Sequence, residues 1–181
     1  MTKHQLFHTS YTTIEQPDIK YGRKNADFGQ GFYLSDDIEF SKRWAYDKNI
    51  YINEYELDDE SLKIKYFNRD KDWFNYIFSN RNGHEDIYSE YDLIVGPVAN
   101  DILYNTYGIL TSGVFDDDKC FELLSIGPTY KQIVIKSNKA LEQLKYMTVH
   151  IQKEEDIKKY RSIVQKEEEN YQILLAKSLS L

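Results

Sequence analysis

Apolar and polar positions alternate over several short stretches of the chain, each bounded by turn residues. Gln5-Leu6-Phe7-His8-Thr9 reads as a short strand. Residues 11–26 are polar, carry Pro17 and Gly22, and read as a long loop. Gly29-Gln30-Gly31 leads into a second strand, Phe32-Tyr33-Leu34. Ser35, Asp36 and Asp37 then precede an amphipathic run through Ile38, Phe40, Trp44 and Ala45, and a capping side chain followed by acids opens a helix. Ile50, Ile52, Tyr55 and Leu57 mark a strand over residues 50–57, and residues 63–67 read as another. Residues 72–78 predict a helix with Trp73, Phe74, Ile77 and Phe78 on its apolar side. A strand over 91–97 ends in Gly96-Pro97. Helices follow over 100–107 and over 121–126, the second stopped by Gly127-Pro128. Residues 132–135 read as a strand, and 140–146 as a helical turn or the next strand.

Strands and helices mix without regular alternation, which predicts an α+β fold rather than a doubly wound parallel sheet. Beyond His150 the composition shifts to Glu and Lys, with Ile157, Tyr160, Val164, Tyr171 and Leu174 or Leu175 at helical spacing. The organisation expected is a domain over residues 1–148 and a helical C-terminal extension over 149–181, which either caps the domain or binds a partner.

Composition narrows the chemistry. The chain of 181 residues carries 23 basic and 30 acidic side chains, a net charge of −7. That argues against holding nucleic acid by bulk electrostatics, which needs a clustered basic surface, but leaves room for a small basic cleft. Sixteen tyrosines and nine phenylalanines are the unusual feature, because tyrosine packs its ring and hydrogen-bonds its tip. A single cysteine, Cys120, gives no disulfide framework and reads as a small buried hydrophobe. No apolar run reaches the length of a membrane span, and the first residues lack a secretory signal, so a cytoplasmic protein is expected. His4, His8, His84 and His150 show no metal-ligand spacing, and no metal is expected. Gly29-Gln30-Gly31 precedes a strand and lacks the third glycine of a dinucleotide fingerprint.

Two segments stand out together. His8-Thr9-Ser10, at a strand end, offers an imidazole, hydroxyls and backbone groups to a ligand. In the segment running from Asp27 to Ser35, glycines before Tyr33 would let the backbone approach a ligand closely. Tyr33 and Trp44, on a strand and the following helix, have the geometry to sandwich a flat heteroaromatic ring.

In this combination the sequence resembles the ADP-ribosyltransferase superfamily, on its diphtheria-toxin and poly(ADP-ribose) polymerase side with the His-Tyr-x motif. It is similar to a bacterial family of small uncharacterised domains of that superfamily. The resemblance is carried by His8-Thr9-Ser10, Asp27-Phe28-Gly29-Gln30-Gly31-Phe32-Tyr33-Leu34-Ser35 and Trp44-Ala45. It continues through Asn80-Arg81, the segment 91–101, Gln132-Ile133 and Lys139-Ala140-Leu141-Glu142-Gln143-Leu144. The resemblance implies a split antiparallel sheet core with peripheral helices, and a cleft that binds NAD. It implies that His8 bonds a ribose hydroxyl, that Thr9 and its neighbours Ser10, Gly31 and Phe32 hold NAD, and that Tyr33 and Trp44 flank the nicotinamide. Arg23 and Arg81 suit the pyrophosphate, since guanidinium matches phosphate oxygens.

Transferases of the superfamily often place a glutamate at a third position, which here is Gln132. An amide bonds a hydroxyl but carries no charge and is no base. Asp27 and Asp101 are the acids considered as substitutes. The activity implied is NAD-dependent mono-ADP-ribosyl transfer by a toxin-like or phage-defence enzyme. Its acceptor would be an unidentified protein or nucleic acid, and a small neutralising antitoxin-like partner is implied. NAD binding or hydrolysis without transfer, and a vestigial-cleft interaction module, are the alternatives. Residues 65–90 are the candidate acceptor surface, with Lys63, Lys65, Arg69, Lys71 and Arg81 as a local basic patch.

Overall fold

A computed structural model of the chain describes residues 3–45, 50–99, 116–125 and 129–179, apart from the side chains of 117, 120, 124, 178 and 179. Strands β1 (Lys3–Ser10), β3 (Tyr51–Asp58) and β7 (Leu144–Ile151) form an antiparallel sheet in the order β1-β3-β7. A second sheet runs β2-β6-β5-β4, from β2 (Phe32–Leu34), β6 (Lys131–Ile135), β5 (Leu93–Pro97) and β4 (Ile64–Tyr66). In it β4 and β5 are parallel, while β2–β6 and β5–β6 are antiparallel. Phe7 and Ser35 exchange backbone hydrogen bonds of 2.8 and 2.9 Å and so bridge β1 to the end of β2. The helices are α1 (Ile38–Arg43), α2 (Lys71–Arg81), α3 (Asp117–Leu124), α4 (Asn138–Glu142) and α5 (Glu154–Leu179). The fold is α+β.

Strands β5 and β6 at the centre of the second sheet are buried on both faces, and their side chains sort by their period of two. Leu93, Ile133 and Ile135 join Leu6, Tyr55, Leu57 and Leu144 in a core between the two sheets. Ile94 and Val134 face the other way and pack with Trp73, Phe74 and Ile77 of α2. Trp73 is fully buried, and its indole N–H finds the Pro97 carbonyl at 2.9 Å, so the ring enters the core with its polar tip satisfied. The break in alternation between Ile52 and Tyr55 coincides with a register shift against β7 at Glu54/Tyr55.

Local signals set the helix starts. Asp37, Asp70, Asp116 and Ser137 each cap a helix with a side-chain oxygen. The region 140–146 holds both readings in succession: α4 ends at Glu142 and β7 begins at Leu144. The expected boundary after residue 148 falls inside β7, which runs on to Ile151. Helix α5 then packs back onto the domain. Its Tyr171 and Leu175 belong to the core around Trp73, while Leu174 is exposed. The Tyr160 hydroxyl donates to Glu39 of α1, and Glu167 pairs with Arg43. The expected helix over 100–107, Asp101, the Cys120 side chain and Gly127-Pro128 lie outside the described residues. Among the described residues, no helix is long and apolar enough to cross a membrane.

Candidate functional site

A cleft of about 320 Å³ opens between β1, β2 and α1. β1 contributes Phe7, His8 and Thr9, and β2 contributes Tyr33. α1 and its end contribute Phe40, Ser41 and Trp44, with Phe40 and Ser41 four and three residues before Trp44 and so each beside it on the helix surface. Arg23 and Asp27 come from the loop before β2, and Gln132 from β6. Strand register explains the meeting of Tyr33 and Gln132. Tyr33 pairs with Val134, so Gln132, two residues along β6, emerges on the same face.

The His8 ring lies against Phe32 with centroids 4.5 Å apart, and its Nδ1 sits 2.7 Å from the Tyr33 carbonyl. A carbonyl oxygen only accepts, so Nδ1 carries the proton and Nε2 of the neutral ring is an acceptor. Burial pushes the His8 pKa below its ordinary value, against a smaller opposite pull from that carbonyl. The ring is therefore uncharged at neutral pH, and folding strength should depend on it in acid. Above about pH 6.5 neither the folded nor the unfolded state protonates His8 and stability is full. As pH falls below that value, the unfolded chain takes a proton that the folded ring refuses until its own lower pKa is reached, so stability is lost. Denaturant melts between pH 5 and 7.5 should show a loss approaching ~1.4 kcal/mol per pH unit that is missing in His8→Asn, whose amide keeps the bond to Tyr33.

The Tyr33 hydroxyl is fully occupied: it donates to the Gly29 carbonyl at 2.7 Å and accepts from the Phe28 amide at 2.9 Å. Burial, reinforced by the charge of Asp27, raises its pKa far above the usual tyrosine value. What Tyr33 offers the cleft is its ring, while its tip ties down the loop. Thr9 Oγ1 donates to the Ser41 carbonyl at 2.6 Å and fastens β1 to α1. Trp44, 41% exposed, meets Phe40 edge-on and leaves much of its ring open. Behind Phe40, Tyr130 stacks at 4.3 Å and takes a 2.6 Å bond from Arg43, so α5, α1 and the cleft wall are linked through Arg43.

Several expected site residues lie elsewhere, each for a physical reason. Ser10 is buried in a polar knot with Asn53, which donates to Ser10 Oγ at 3.0 Å while accepting from the Ile14 amide at 2.8 Å. Phe32 points into the core between the sheets, because adjacent strand residues face opposite ways. Gly31 is required by packing: a Cβ there would lie 2.7 Å from the Ile135 carbonyl and 2.5 Å from Val134. No ligand approach is needed to explain it. Arg81 is buried on α2 and pairs with Asp27, its Nε at 2.8 Å from Oδ1, and it does not line the cleft. Arg23 is exposed at the cleft. In the expected basic patch, Lys63 pairs with Glu90, Lys71 with Asp118, and Arg69 donates to the Ser125 carbonyl. Phe40 and Ser41 were missed by sequence reasoning, although their spacing from Trp44 on a capped helix was the signal.

Gln132 and Asp27 form the polar floor. Gln132 Nε2 donates to Asp27 Oδ2 at 3.1 Å and to the Pro97 carbonyl at 3.3 Å, and Asp27 Oδ2 also accepts from the Ala99 amide at 3.1 Å. The cleft thus joins two aromatic faces, an imidazole acceptor, a primary amide and an exposed guanidinium. That set suits a ligand with a flat ring, hydroxyls and negative charge.

No curated protein and no solved structure matches the chain. A family model, DUF3990, described as a protein of unknown function, matches residues 4–146, a span that includes every described residue of the cleft. The chain belongs to the DUF3990 family.

Proposed function

We propose that this protein is an NAD-dependent mono-ADP-ribosyltransferase of the cytoplasm, a toxin-like or phage-defence effector that moves one ADP-ribose to a macromolecule. The observation that supports it best is the convergence of His8, Tyr33, Trp44 and Gln132 on one cleft from four separate segments. In this reading the nicotinamide lies on the Tyr33 ring, with Trp44 across from it. His8 Nε2 accepts from a hydroxyl of the adenosine ribose, and Arg23 meets the pyrophosphate. The bond between ribose C1′ and the nicotinamide nitrogen breaks, its electron pair leaves with neutral nicotinamide, and C1′ passes through an oxocarbenium-like state. The acceptor nucleophile bonds C1′ and gives up its proton. The cleft helps by holding the dinucleotide in place and by presenting acceptors to its hydroxyls.

A second reading, NAD binding or hydrolysis without transfer, is favoured by the amide at Gln132, which is no base, and by the complete engagement of the Asp27 carboxylate. Incubation with labelled NAD and cell extract separates the two. Label on protein or nucleic acid supports transfer, whereas free ADP-ribose alone supports hydrolysis. Failure to bind NAD in calorimetry overturns both. A small neutralising protein would bind the same chain and abolish labelling.

A further inference from the structure

Asp27 is surrounded by donors. Arg81 reaches Oδ1 through Nε at 2.8 Å and through its terminal nitrogen, while Oδ2 receives the Ala99 amide and Gln132 Nε2, each at 3.1 Å. Both oxygens must accept, which a carboxylate does and a primary amide cannot. Gln132 sees the converse. Its inner neighbours, Asp27 Oδ2 and the Pro97 carbonyl, only accept, so its nitrogen must face them. Gln132 Oε1 takes no hydrogen bond from a described residue, and the side chain lines the cleft.

We propose that Asp27, itself clamped by Arg81, is a positioning residue that locks the Gln132 amide with its nitrogen inward and Oε1 toward the cleft. The position becomes a fixed acceptor for a ligand hydroxyl, and one that a glutamate cannot fill. A carboxylate at 132 would stand against Asp27 Oδ2 and the Pro97 carbonyl, three acceptors with no proton among them. The amide at this position is thus demanded by its surroundings. The identity of the hydroxyl, the 2′-hydroxyl of the nicotinamide ribose, rests on the function proposed above; the lock does not.

The test uses the full chain. Ligand-free, the parent and Gln132→Glu are melted at pH 7.5 and at pH 5. Gln132→Glu is expected to melt clearly below the parent. At pH 5 the gap is expected to narrow, because a carboxyl at position 132 that takes up a proton can donate to Asp27. In parallel, NMR follows solvent exchange of the Gln132 side-chain amide, expected to be at least about tenfold slower than that of exposed Gln172 and to speed up in Asp27→Asn. Calorimetry with NAD and its 2′-deoxy analogue on the nicotinamide ribose is expected to give the parent a preference of about tenfold for NAD. Gln132→Met, which keeps the side-chain length and removes the acceptor, should lose that preference, whereas a merely structural role would leave it intact in the folded fraction.

Gln132→Glu that melts like the parent at pH 7.5 overturns the lock, as does a Gln132 amide exchanging as fast as Gln172, and Gln132→Met that keeps the preference overturns the hydroxyl contact. Equal parent affinity for the two dinucleotides overturns the hydroxyl contact. If the melting and exchange results hold but NAD does not bind, the lock stands and the NAD reading falls.

Discussion

Tyr33→Ala is expected to lower NAD affinity by about 100-fold, while Tyr33→Phe stays within a few-fold of the parent. The ring is the part of Tyr33 that reaches the cleft, and truncating an aromatic partner of a stacked base costs about 1–3 kcal/mol, the upper end of which is ~100-fold. The hydroxyl has a different task. It bridges the Phe28 amide and the Gly29 carbonyl, and Gly29 holds a positive φ of 69° in the turn that starts this segment. Tyr33→Phe leaves those two backbone groups without their partner, so it should reduce stability by roughly 1–3 kcal/mol with the ring still in place. Calorimetry and chemical denaturation read the two effects separately. If Tyr33→Phe weakens NAD binding as severely as Tyr33→Ala, the ring is not the contact and the nicotinamide belongs elsewhere. His8→Ala is the companion variant. It removes both the cleft acceptor and the bond to the Tyr33 carbonyl, and loss of NAD binding is expected.

Arg81→Ala should be the most damaging single change to the fold, costing about 3–5 kcal/mol. The Arg81 side chain is 2% exposed and that of Asp27 12%, so removing the guanidinium strands a carboxylate away from water. Against a total stability of roughly 5–15 kcal/mol, this lowers the melting temperature by on the order of 10 °C. Arg81→Lys keeps the charge but reaches Asp27 from one point only, and it should recover only part of the loss. A melting temperature for Arg81→Ala within about 2 °C of the parent would show that the pair contributes little. Lys136 anchors the same loop from the other side. It is buried, pairs with Asp86 at 2.8 Å and donates to the Phe28 carbonyl, and burial draws its pKa below the usual lysine value despite that carboxylate. The segment that carries Asp27 and Tyr33 is therefore fixed by two buried cations, Arg81 and Lys136.

Much of the fold was legible because its signals are local. Short alternating runs made strands, and Asp37 made a helix start because a carboxylate two or three residues ahead of free amides satisfies them wherever the chain goes. His8, Thr9, Tyr33, Trp44 and Gln132 were singled out together and do line one cleft. Arg81 shows where local reading stops. As a lone arginine near a helix end it has the chemistry of a phosphate ligand, and nothing near it in sequence announces Asp27, 54 positions away. Gly31 is a second case: its small size answers to β6, which lies about a hundred residues further on.

The α+β class, the positions of most elements and the residue types able to serve a cleft could all be read along the chain. They follow from side-chain periodicity, capping and turn chemistry, which act over a few residues. Which of those residues share a site is a matter of tertiary pairing. β6 had to pair with β2 in the register that sets Val134 against Tyr33, since a slip of one residue would turn Gln132 to the opposite face. That register sets Gln132 against Asp27, 105 positions apart, and fixes which of its atoms the cleft receives.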